Sequence, residues 1–572
     1  MNNNNNFLYC AALKTKAGTK WGYINDKGEF QIQPLFEYAY DFQNNGLATV
    51  KMDGLYGCID DTGQFVIGPR FETMIDFSEA RATVVLEDGF HVIDETGQVL
   101  TKKGYNFIRM YQDGRAVFSN KDMHGKFRYG YLNKACEEVI PLQYESASDF
   151  KDGVAVVKIK EGKFALIDRY GNGVVIFNYF FVGNYGDNLL SFRCGVKEKY
   201  GYLNTRGDIV IKPRFTVATP FENGRAVVID AANSRNKKGL IDKAGMYIIE
   251  PIYNDLTILG ENRIAVGVAV DEKQPFLGSK YALANWNGQI LSEFIYNYVS
   301  QYDQGIASVF DGKRAFFIDR SGNRARGLPG VEGADSVTLI GKLVRIFKGT
   351  RIAYLTRKGK LVWRQNTIIP ITNRYRVLEK MYQPNIDYLV FYPKVDGLKN
   401  EKVQVQVNEK LKLLSGLKEI SENKQLDYSY TGDFNVTFFQ KNLLVMELYG
   451  DQYYFGAAHG MPTKMYLKIN MINGRFYELM DLFQEDSDYE GQLSSIIENM
   501  IKTDPKYNYV FPGAYKKIAK DQPFYVNEDS LFIYFSPYEI GPYVAGFPTF
   551  EIPFSEIIDM IDKKGEFWVS FQ

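Results

Sequence analysis

Short apolar runs separated by turns rich in Asp, Asn and Gly dominate the first two thirds of the chain. Runs such as 47–52, 56–59 and 65–67 carry β-branched and aromatic residues and are too short for helices. Asp or Asn at the start of a turn accepts hydrogen bonds from the backbone ahead, and Gly adopts the positive φ that a tight turn needs. The pattern therefore predicts short antiparallel strands joined by tight turns.

The apolar runs recur as one unit with a mean period of about 37 residues, which gives ten units. A three-stranded unit cannot bury both of its faces alone, so the units must stack on one another. We therefore predict a mainly β fold over residues 7–366, a ten-unit array of three-stranded β-repeats. The array is expected to form a propeller-like ring or arc, with an open β-solenoid as the alternative. The turn residues that mark the units are Gly28, Gly63, Gly97, Cys136, Gly171, Gly207, Gly245, Gly288, Gly322 and Gly359.

Two further signals mark many of the units, although the aromatic-Gly pair degrades in some and Pro is absent from the last ones. An aromatic residue followed by Gly opens the second strand, where the small residue lets a neighbouring backbone come close. Pro recurs near the end of the third strand, as at Pro34 and Pro69, and is expected to end that strand because it lacks an N–H group. The predicted structural anchors are Trp21, Gly22, Gly28, Tyr56, Gly57, Gly63, Tyr129, Gly130, Tyr200, Gly201 and Gly207.

These units resemble the bacterial WG-containing repeat, also called the KWG repeat. The resemblance rests on the residues Lys20-Trp21-Gly22-Tyr23-Ile24 and Asp26-Lys27-Gly28, and the stretch from Tyr200 to Gly207 is a second close match. It implies a non-catalytic repeat scaffold.

The pattern changes beyond Thr367, and residues 367–572 are predicted to form an α+β domain with an antiparallel sheet. The spacing of Leu493, Ile497 and Met500 predicts a helix, and Ser555 is expected to cap a short helix after Pro553. Residues 397–420 fit a strand or a helix. Residues 1–6 are predicted to be a polar leader. Further strands are predicted at 436–439, 443–448, 465–469 and 531–535.

Three segments of this region resemble a bacterial extracytoplasmic domain pair. They are 453–460 (YYFGAAHG), 472–483 (INGRFYELMDLF) and 535–548 (FSPYEIGPYVAGFP). The pair occurs in membrane-bound anti-sigma factors that bind lysozyme and beside peptidoglycan deacetylase domains. The resemblance implies a protein-binding or envelope-sensing module, with a cell-wall glycan or a lysozyme-like protein as the partner.

Charge and residue usage restrict the function. Lys plus Arg equals Asp plus Glu at 68 each, so no nucleic-acid partner is expected. The chain has no apolar run of the ~20 residues that a membrane helix needs, and no signal peptide is recognisable. We predict a cytoplasmic protein, with envelope association by non-classical export as the alternative. With 3 His and 4 Cys, and without metal spacing, a phosphate loop or triad order, we predict no cofactor, no metal and no catalytic residue.

Aspartates such as Asp60 recur at the repeat turns, where turn formation explains them better than calcium binding, which needs 6–8 oxygen ligands. His459 could act as a general base, or it could be a turn histidine whose ring bonds a backbone carbonyl. Tyr538, Glu539 and Tyr543 could form a recognition loop, or a structural loop that packs on the sheet. These last four residues are the predicted binding residues.

The sequence thus predicts a non-catalytic binding or scaffold protein with a protein partner of unknown identity. The alternative is a glycan- or peptidoglycan-linked enzyme or sensor.

Overall fold

The computed structural model describes residues 7–230 and 236–572, so the predicted polar leader at 1–6 lies outside the described residues. The chain divides into two compact bodies. The repeat body comprises the residues up to Ala11 together with Trp21–Arg364, and the C-terminal body comprises Ala12–Lys20 together with Gln365–Gln572. None of the helices in the described ranges has the length and apolar character needed to cross a lipid bilayer.

Antiparallel strands build the repeats, and the described residues up to 364 form nine sheets. This confirms the predicted mainly β class with repeats. The sheets consist of β1 (Tyr9–Thr15), β2 (Gly18–Ile24) and β3 (Phe30–Phe36); β4 (Tyr38–Ala39), β5 (Ala48–Met52), β6 (Leu55–Ile59) and β7 (Phe65–Phe71); β8 (Phe77–Ser78), β9 (Arg81–Leu86) and β10 (Gly89–Ile93); β11 (Phe107–Ile108), β12 (Ala116–Lys121), β13 (Phe127–Leu132) and β14 (Glu138–Tyr144); β15 (Ser146–Ala147), β16 (Val154–Lys160), β17 (Lys163–Asp168) and β18 (Gly173–Phe177); β19 (Phe181–Gly186), β20 (Leu189–Arg193), β21 (Tyr200–Asn204), β22 (Ile209–Ala218), β23 (Arg225–Asp230), β24 (Lys238–Asp242) and β25 (Tyr247–Tyr253); β26 (Asp255–Ile258), β27 (Arg263–Ala269) and β28 (Ser279–Asn285); β29 (Tyr298–Val299), β30 (Ile306–Phe310), β31 (Arg314–Asp319) and β32 (Val331–Glu332); and β33 (Ser336–Ile340), β34 (Leu343–Lys348), β35 (Arg351–Thr356) and β36 (Leu361–Arg364).

The predicted turn residues all adopt the left-handed backbone conformation, from Gly28 with φ 85° to Gly359 with φ 85°. Cys136 occupies the same turn position with φ 61°, where the other nine units have Gly. A residue with a side chain is disfavoured there, which explains the preference for Gly. The repeat period read from these turns is therefore the period of the folded chain.

The prediction that Pro ends the third strand is wrong. Pro69 lies inside β7, where the register with β6 shifts between the pairs Tyr56–Phe71 and Cys58–Ile67. A bulge forms around Pro69, which therefore needs no ladder hydrogen bond there, and the strand continues to Phe71. The bulge also explains the Gly of the aromatic-Gly pair, since a Cβ on Gly57 would lie 2.8 Å from the Pro69 nitrogen.

Many repeats contain one strand more than the three that the sequence predicts. Five of the sheets described for the repeat body have four strands, because a short strand such as β4, β11 or β15 precedes the Ala-bearing strand. These added strands are two residues long in four of the five cases, too short to show as a hydrophobic run. The ten-residue β22 serves two repeats and joins them into one seven-stranded sheet.

The last sheet of the array packs against the first. The rings of Tyr9 and Tyr354 lie 5.4 Å apart, and the Tyr354 hydroxyl donates a hydrogen bond of 2.7 Å to the Cys10 carbonyl. Phe30 and Trp363 meet edge to face at 6.3 Å. The first and last sheets of the array are therefore in contact with each other.

The C-terminal body contains a six-stranded sheet, a three-stranded sheet and four helices in its described residues. The sheet of six is mixed, because α1 connects β39 to β40 as a crossover and these two strands pair parallel. The elements are β37 (Ile368–Pro370), β38 (Arg376–Asn385), β39 (Tyr388–Asp396), α1 (Glu401–Leu414), β40 (Tyr428–Gln440), β41 (Leu443–Tyr454), β42 (Met461–Asn470), α2 (Tyr489–Thr503), β43 (Phe524–Val526), β44 (Ser530–Tyr534), β45 (Thr549–Pro553), α3 (Phe554–Ile557) and α4 (Glu566–Val569).

The helices of this body resolve the open predictions. Residues 397–420 contain the helix α1, which the Asn400 side chain caps by accepting from the Lys402 backbone N–H at 3.0 Å. The predicted helix around Leu493 is confirmed as α2. The predicted cap at Ser555 is wrong, because β45 runs to Pro553 and Ser555 falls inside the four-residue α3.

One apolar core joins the two sheets of the C-terminal body. Leu443 and Val445 on β41 share it with Leu531 and Ile533 on β44, and Leu493 of α2 completes the cluster. The two sheets of this body are therefore packed against each other.

Candidate functional site

Two hairpin loops of the C-terminal body meet at an exposed cluster of rings. His459 lies in the loop between β41 and β42, and Tyr538 and Tyr543 lie in the loop between β44 and β45. The second loop is closed at its base by a hydrogen bond from the Phe535 N–H to the Pro548 carbonyl, 2.9 Å long. The three ring residues, His459, Tyr538 and Tyr543, are called the aromatic patch below.

The imidazole of His459 has a defined tautomer. Its Nδ1 lies 2.9 Å from the Gly460 carbonyl oxygen, which can only accept, so Nδ1 carries the hydrogen. In this tautomer Nε2 can accept from the Tyr538 hydroxyl, which lies 3.2 Å away. In the described residues no carboxylate hydrogen-bonds this imidazole. The contact with the carbonyl matches the predicted turn histidine, while the contact with Tyr538 goes beyond it.

The ring of Tyr543 packs on one face of the His459 imidazole. The two rings stack with centroids 4.0 Å apart and planes inclined by 28°, and the Tyr543 hydroxyl donates to the Gly460 carbonyl at 2.9 Å. An added Cβ at residue 460 would meet only the carboxylate of Asp451, an exposed side chain that can turn aside. The ring stack and the bond to the Gly460 carbonyl therefore hold the imidazole against Tyr543.

Tyr538 projects from a strained turn. It adopts φ 67°, a left-handed conformation that is uncommon for a residue with a bulky side chain, and its side chain is 52% exposed. The turn is held by the Glu539 N–H, which donates to the Ser536 carbonyl at 3.1 Å. Pro537 and Ile540, on either side, are buried. The fold therefore fixes this turn from below and directs the Tyr538 ring outwards.

Glu539 is not part of the ring cluster. Its carboxylate accepts a hydrogen bond of 2.8 Å from the Ser536 backbone N–H and so stabilises the turn that presents Tyr538. Of the four predicted binding residues, the structure brings His459, Tyr538 and Tyr543 together and places Glu539 behind them.

The patch offers planar apolar surface with a few polar atoms and no charged group at its centre. Val544, next to Tyr543, is 90% exposed and extends the apolar surface. Such a surface can stack against a planar or apolar group of a partner while the phenol hydroxyls form hydrogen bonds.

The aspartates of the repeats form turns. One carboxylate oxygen of Asp60 accepts from the backbone N–H groups of Thr62 at 2.9 Å and Gln64 at 3.0 Å. The hydrogen bond from the Thr62 hydroxyl, with these backbone bonds, lowers the pKa of the Asp60 carboxyl. The described residues contain no group of three or more His, Cys, Asp or Glu side chains placed to hold a metal ion. The backbone bonds recur at Asp94, Asp168, Asp242 and Asp319.

An acid–imidazole–hydroxyl chain in the third repeat was not predicted. His91 Nε2 lies 2.6 Å from the Asp88 carboxylate, and its Nδ1 lies 2.7 Å from the Thr101 hydroxyl. The bond to His91 lowers the pKa of the Asp88 carboxyl. Thr101 is buried and its oxygen also accepts from the Val92 N–H, so these three side chains fasten a loop to β10. The separation of three residues between Asp88 and His91 is the only sequence signal.

A buried lysine was also missed. Burial lowers the pKa of Lys468 on β42 to about 7, although Glu478 and Asp481 act in the opposite direction. Its Nζ lies over the Phe524 ring at 3.7 Å and donates to the carbonyls of Tyr466 at 3.2 Å and Phe524 at 3.4 Å. Nothing in the sequence separates it from Lys464, the other lysine of β42, whose side chain is 27% exposed.

Sequence comparison finds two families. The WG containing repeat matches residues 21–56, 56–89, 129–164, 200–229 and 239–268. The family described as protein of unknown function (DUF3298) matches residues 480–555, which include Tyr538 and Tyr543. A curated relative, the peptidoglycan-N-acetylmuramic acid deacetylase PdaC of Bacillus subtilis (strain 168), is 24% identical over 193 residues. That match covers 31% of this chain and 39% of the relative.

Solved structures of DUF3298 members are similar as well. A member from Bacteroides fragilis is 20% identical and covers 33% of this chain and 92% of its own, with a TM-score of 0.27. A member from Pseudomonas aeruginosa is 15% identical and covers 33% and 94%, with a TM-score of 0.26. The predicted resemblance of the repeats to the WG-containing repeat, and of the C-terminal region to a domain that accompanies peptidoglycan deacetylases, is confirmed. Five stretches of the chain thus match the WG containing repeat, and one stretch towards its C-terminus matches DUF3298.

Proposed function

We propose that this protein is a non-catalytic binding protein whose aromatic patch recognises a protein partner. The observation that carries the proposal is the stack of His459 on Tyr543, bonded to the exposed Tyr538, where two loops meet. Rings held in place before binding lose little conformational freedom when a partner arrives, and Tyr is enriched where proteins bind one another.

The surroundings of His459 support a binding role over a catalytic one. A general base needs a free nitrogen aimed at a substrate, usually oriented by an acidic group on the other nitrogen. Here one nitrogen is bonded to the Gly460 carbonyl and the other to the Tyr538 hydroxyl, so both serve to hold the rings in place.

The similarity to PdaC favours a partner at the cell wall, and a cell-wall glycan is the second candidate ligand. The cytoplasmic location expected from the sequence and the envelope-associated alternative lead to different partners. Fractionation of cells that express the full chain distinguishes the two locations.

A photocrosslinking experiment tests the proposal. The full chain carries a photoreactive phenylalanine analogue at position 543, and the same analogue at Tyr170 serves as control, since Tyr170 is 81% exposed in the repeat body. We expect a discrete protein adduct from position 543 and none from position 170. The captured partner is then purified and titrated against Tyr538→Ala and His459→Ala, which should each weaken binding at least tenfold.

Two outcomes would overturn the proposal. One is a captured partner that binds both variants as tightly as the native chain, with Tyr170→Ala as the matched control. The other is sedimentation of the chain with purified peptidoglycan that is abolished by the same variants, which would make the glycan the ligand.

A further inference from the structure

A cavity of about 670 Å³ opens in the repeat body, far along the chain from the aromatic patch. Its walls come from the sheet β15–β18 and the sheet β19–β25, with Arg109 at one side. The volume lies within the range of ~300–1,000 Å³ that is typical of small-molecule sites. The prediction from sequence did not include it, because its residues come from several repeats.

An irregular strand helps to shape the cavity. β19 and β20 pair with a register shift between Val182 and Tyr185, which marks a bulge at 183–184. Gly183 faces Ser191 there, and an added Cβ would overlap the Ser191 hydroxyl. Ser191 is only 3% exposed as a residue and lines the cavity. A hydroxyl in a cavity wall can donate a hydrogen bond to a bound ligand or accept one from it.

Aromatic rings form one wall. Phe180, Phe181 and Tyr200 line the cavity, and the Arg193 guanidinium lies 5.2 Å from the ring centroids of both Phe180 and Tyr200. Cation–π contacts of this kind hold the rings in place. The wall is therefore a fixed stacking surface.

The charged lining is entirely cationic. Among the described residues that line the cavity, Arg109 and Lys158 are charged and none is a carboxylate. Arg109 pairs with Asp149 at 3.4 Å and Lys158 with Glu145 at 3.0 Å. Since Arg has five N–H donors and Lys has three, each cation keeps donors for a ligand.

We propose that this cavity binds a mono- or disaccharide that carries a carboxylate. The aromatic wall stacks on the apolar face of a sugar ring, Ser191 and Thr216 meet its hydroxyl groups, and Lys158 with Arg109 meets the carboxylate. The site is independent of the aromatic patch, so either proposal can fail while the other holds.

Ligand-observed NMR on the full chain tests the site. The probes are N-acetylmuramic acid, which carries a carboxylate, and N-acetylglucosamine, which has the same ring without it. We expect the acid to bind at least tenfold more tightly than the neutral sugar. Lys158→Gln should weaken binding of the acid about tenfold, whereas Lys160→Gln, an exposed change on the same strand β16, should leave it unchanged.

A variant that fills the cavity shows whether a loss of binding comes from the site itself and not from misfolding. Val217 lines the cavity and is 44% exposed, so Val217→Trp fills the cavity without disturbing a core and should abolish binding. Equal binding of the two sugars, or no binding of N-acetylmuramic or glucuronic acid, would overturn the proposal. So would a dipeptide such as Gly-Phe that displaces the sugar acid and responds to the same variants, since the ligand would then be a peptide.

Discussion

The two bodies of this protein use their polar side chains in opposite ways. In the repeat body, Asp60 bonds the backbone two and four residues ahead, at the surface. In the C-terminal body, Lys14 pairs with Asp433 at 2.8 Å and lies 3.4 Å from Glu379, and all three side chains are almost fully buried. The bonds of Asp60 join residues that are close in the sequence. The ion pairs of Lys14 form only when the folded chain brings distant segments together.

The substitution with the largest expected effect removes the buried Lys14 cation. Lys14→Met should lower the free energy of unfolding of the C-terminal body by about 3–5 kcal/mol, because two buried carboxylates lose the cation beside them. Hydrogen exchange measured by mass spectrometry would show the loss in peptides that cover 376–385 and 428–440. Lys16→Met, an exposed change two residues on, should alter stability by less than about 0.5 kcal/mol. Equal effects of the two changes would contradict the comparison.

The second prediction concerns the pH dependence of stability that the buried Lys468 produces. Lys468 loses its proton near pH 7 in the folded chain and at about 10.5 when unfolded, so the unfolded state binds the extra proton between these values. Stability should therefore rise with pH in this window, by about 2 kcal/mol between pH 7 and pH 9 from this residue. Lys468→Met should remove that rise in urea unfolding followed by Trp568 fluorescence. Lys464→Met, on the same strand and paired with Glu447, should retain it.

The third effect tests the repeats. Gly57→Ala should cost about 1–3 kcal/mol, because the new methyl group would overlap the bulge around Pro69. Gly68, in the same sheet, has open space at its Cβ position, so Gly68→Ala should be neutral or stabilising by up to about 1 kcal/mol. Thermal unfolding of the two variants gives the comparison, and a destabilising Gly68→Ala would refute the role of the bulge.

The substitution with the smallest expected effect tests whether the strained backbone at Tyr538 serves partner binding. Tyr538→Gly should stabilise the C-terminal body by about 1 kcal/mol, since Gly adopts φ 67° freely. Tyr538→Ala removes the same ring but retains most of the strain. Both variants should lose the partner, and only the glycine variant should unfold at a higher temperature. If both unfold at the same temperature, the turn is not strained.

The sequence predicts the repeats well because each unit repeats the same local evidence. Gly28 and the nine equivalent turn residues were identified without any knowledge of contacts. The bulge at Pro69 was missed because a missing N–H group is compatible both with a strand end and with a bulge. His459, Tyr538 and Tyr543 were singled out as types of residue, but their stacking depends on a core shared by two sheets. Lys14 and the cavity beside Ser191 gave no signal, since their partners lie far away in the chain or in other repeats.

The contact between the first and last sheets limits how this array can change in evolution. Tyr354 bonds the carbonyl of Cys10, so both ends of the array are already occupied by each other. A stack with free ends can gain or lose a copy at little cost, as duplication of a gene segment would produce. Here an eleventh copy, or the loss of one, would have to separate Tyr9 from Tyr354 and rebuild every interface in between. The contact between the two ends therefore acts against a change in the number of copies.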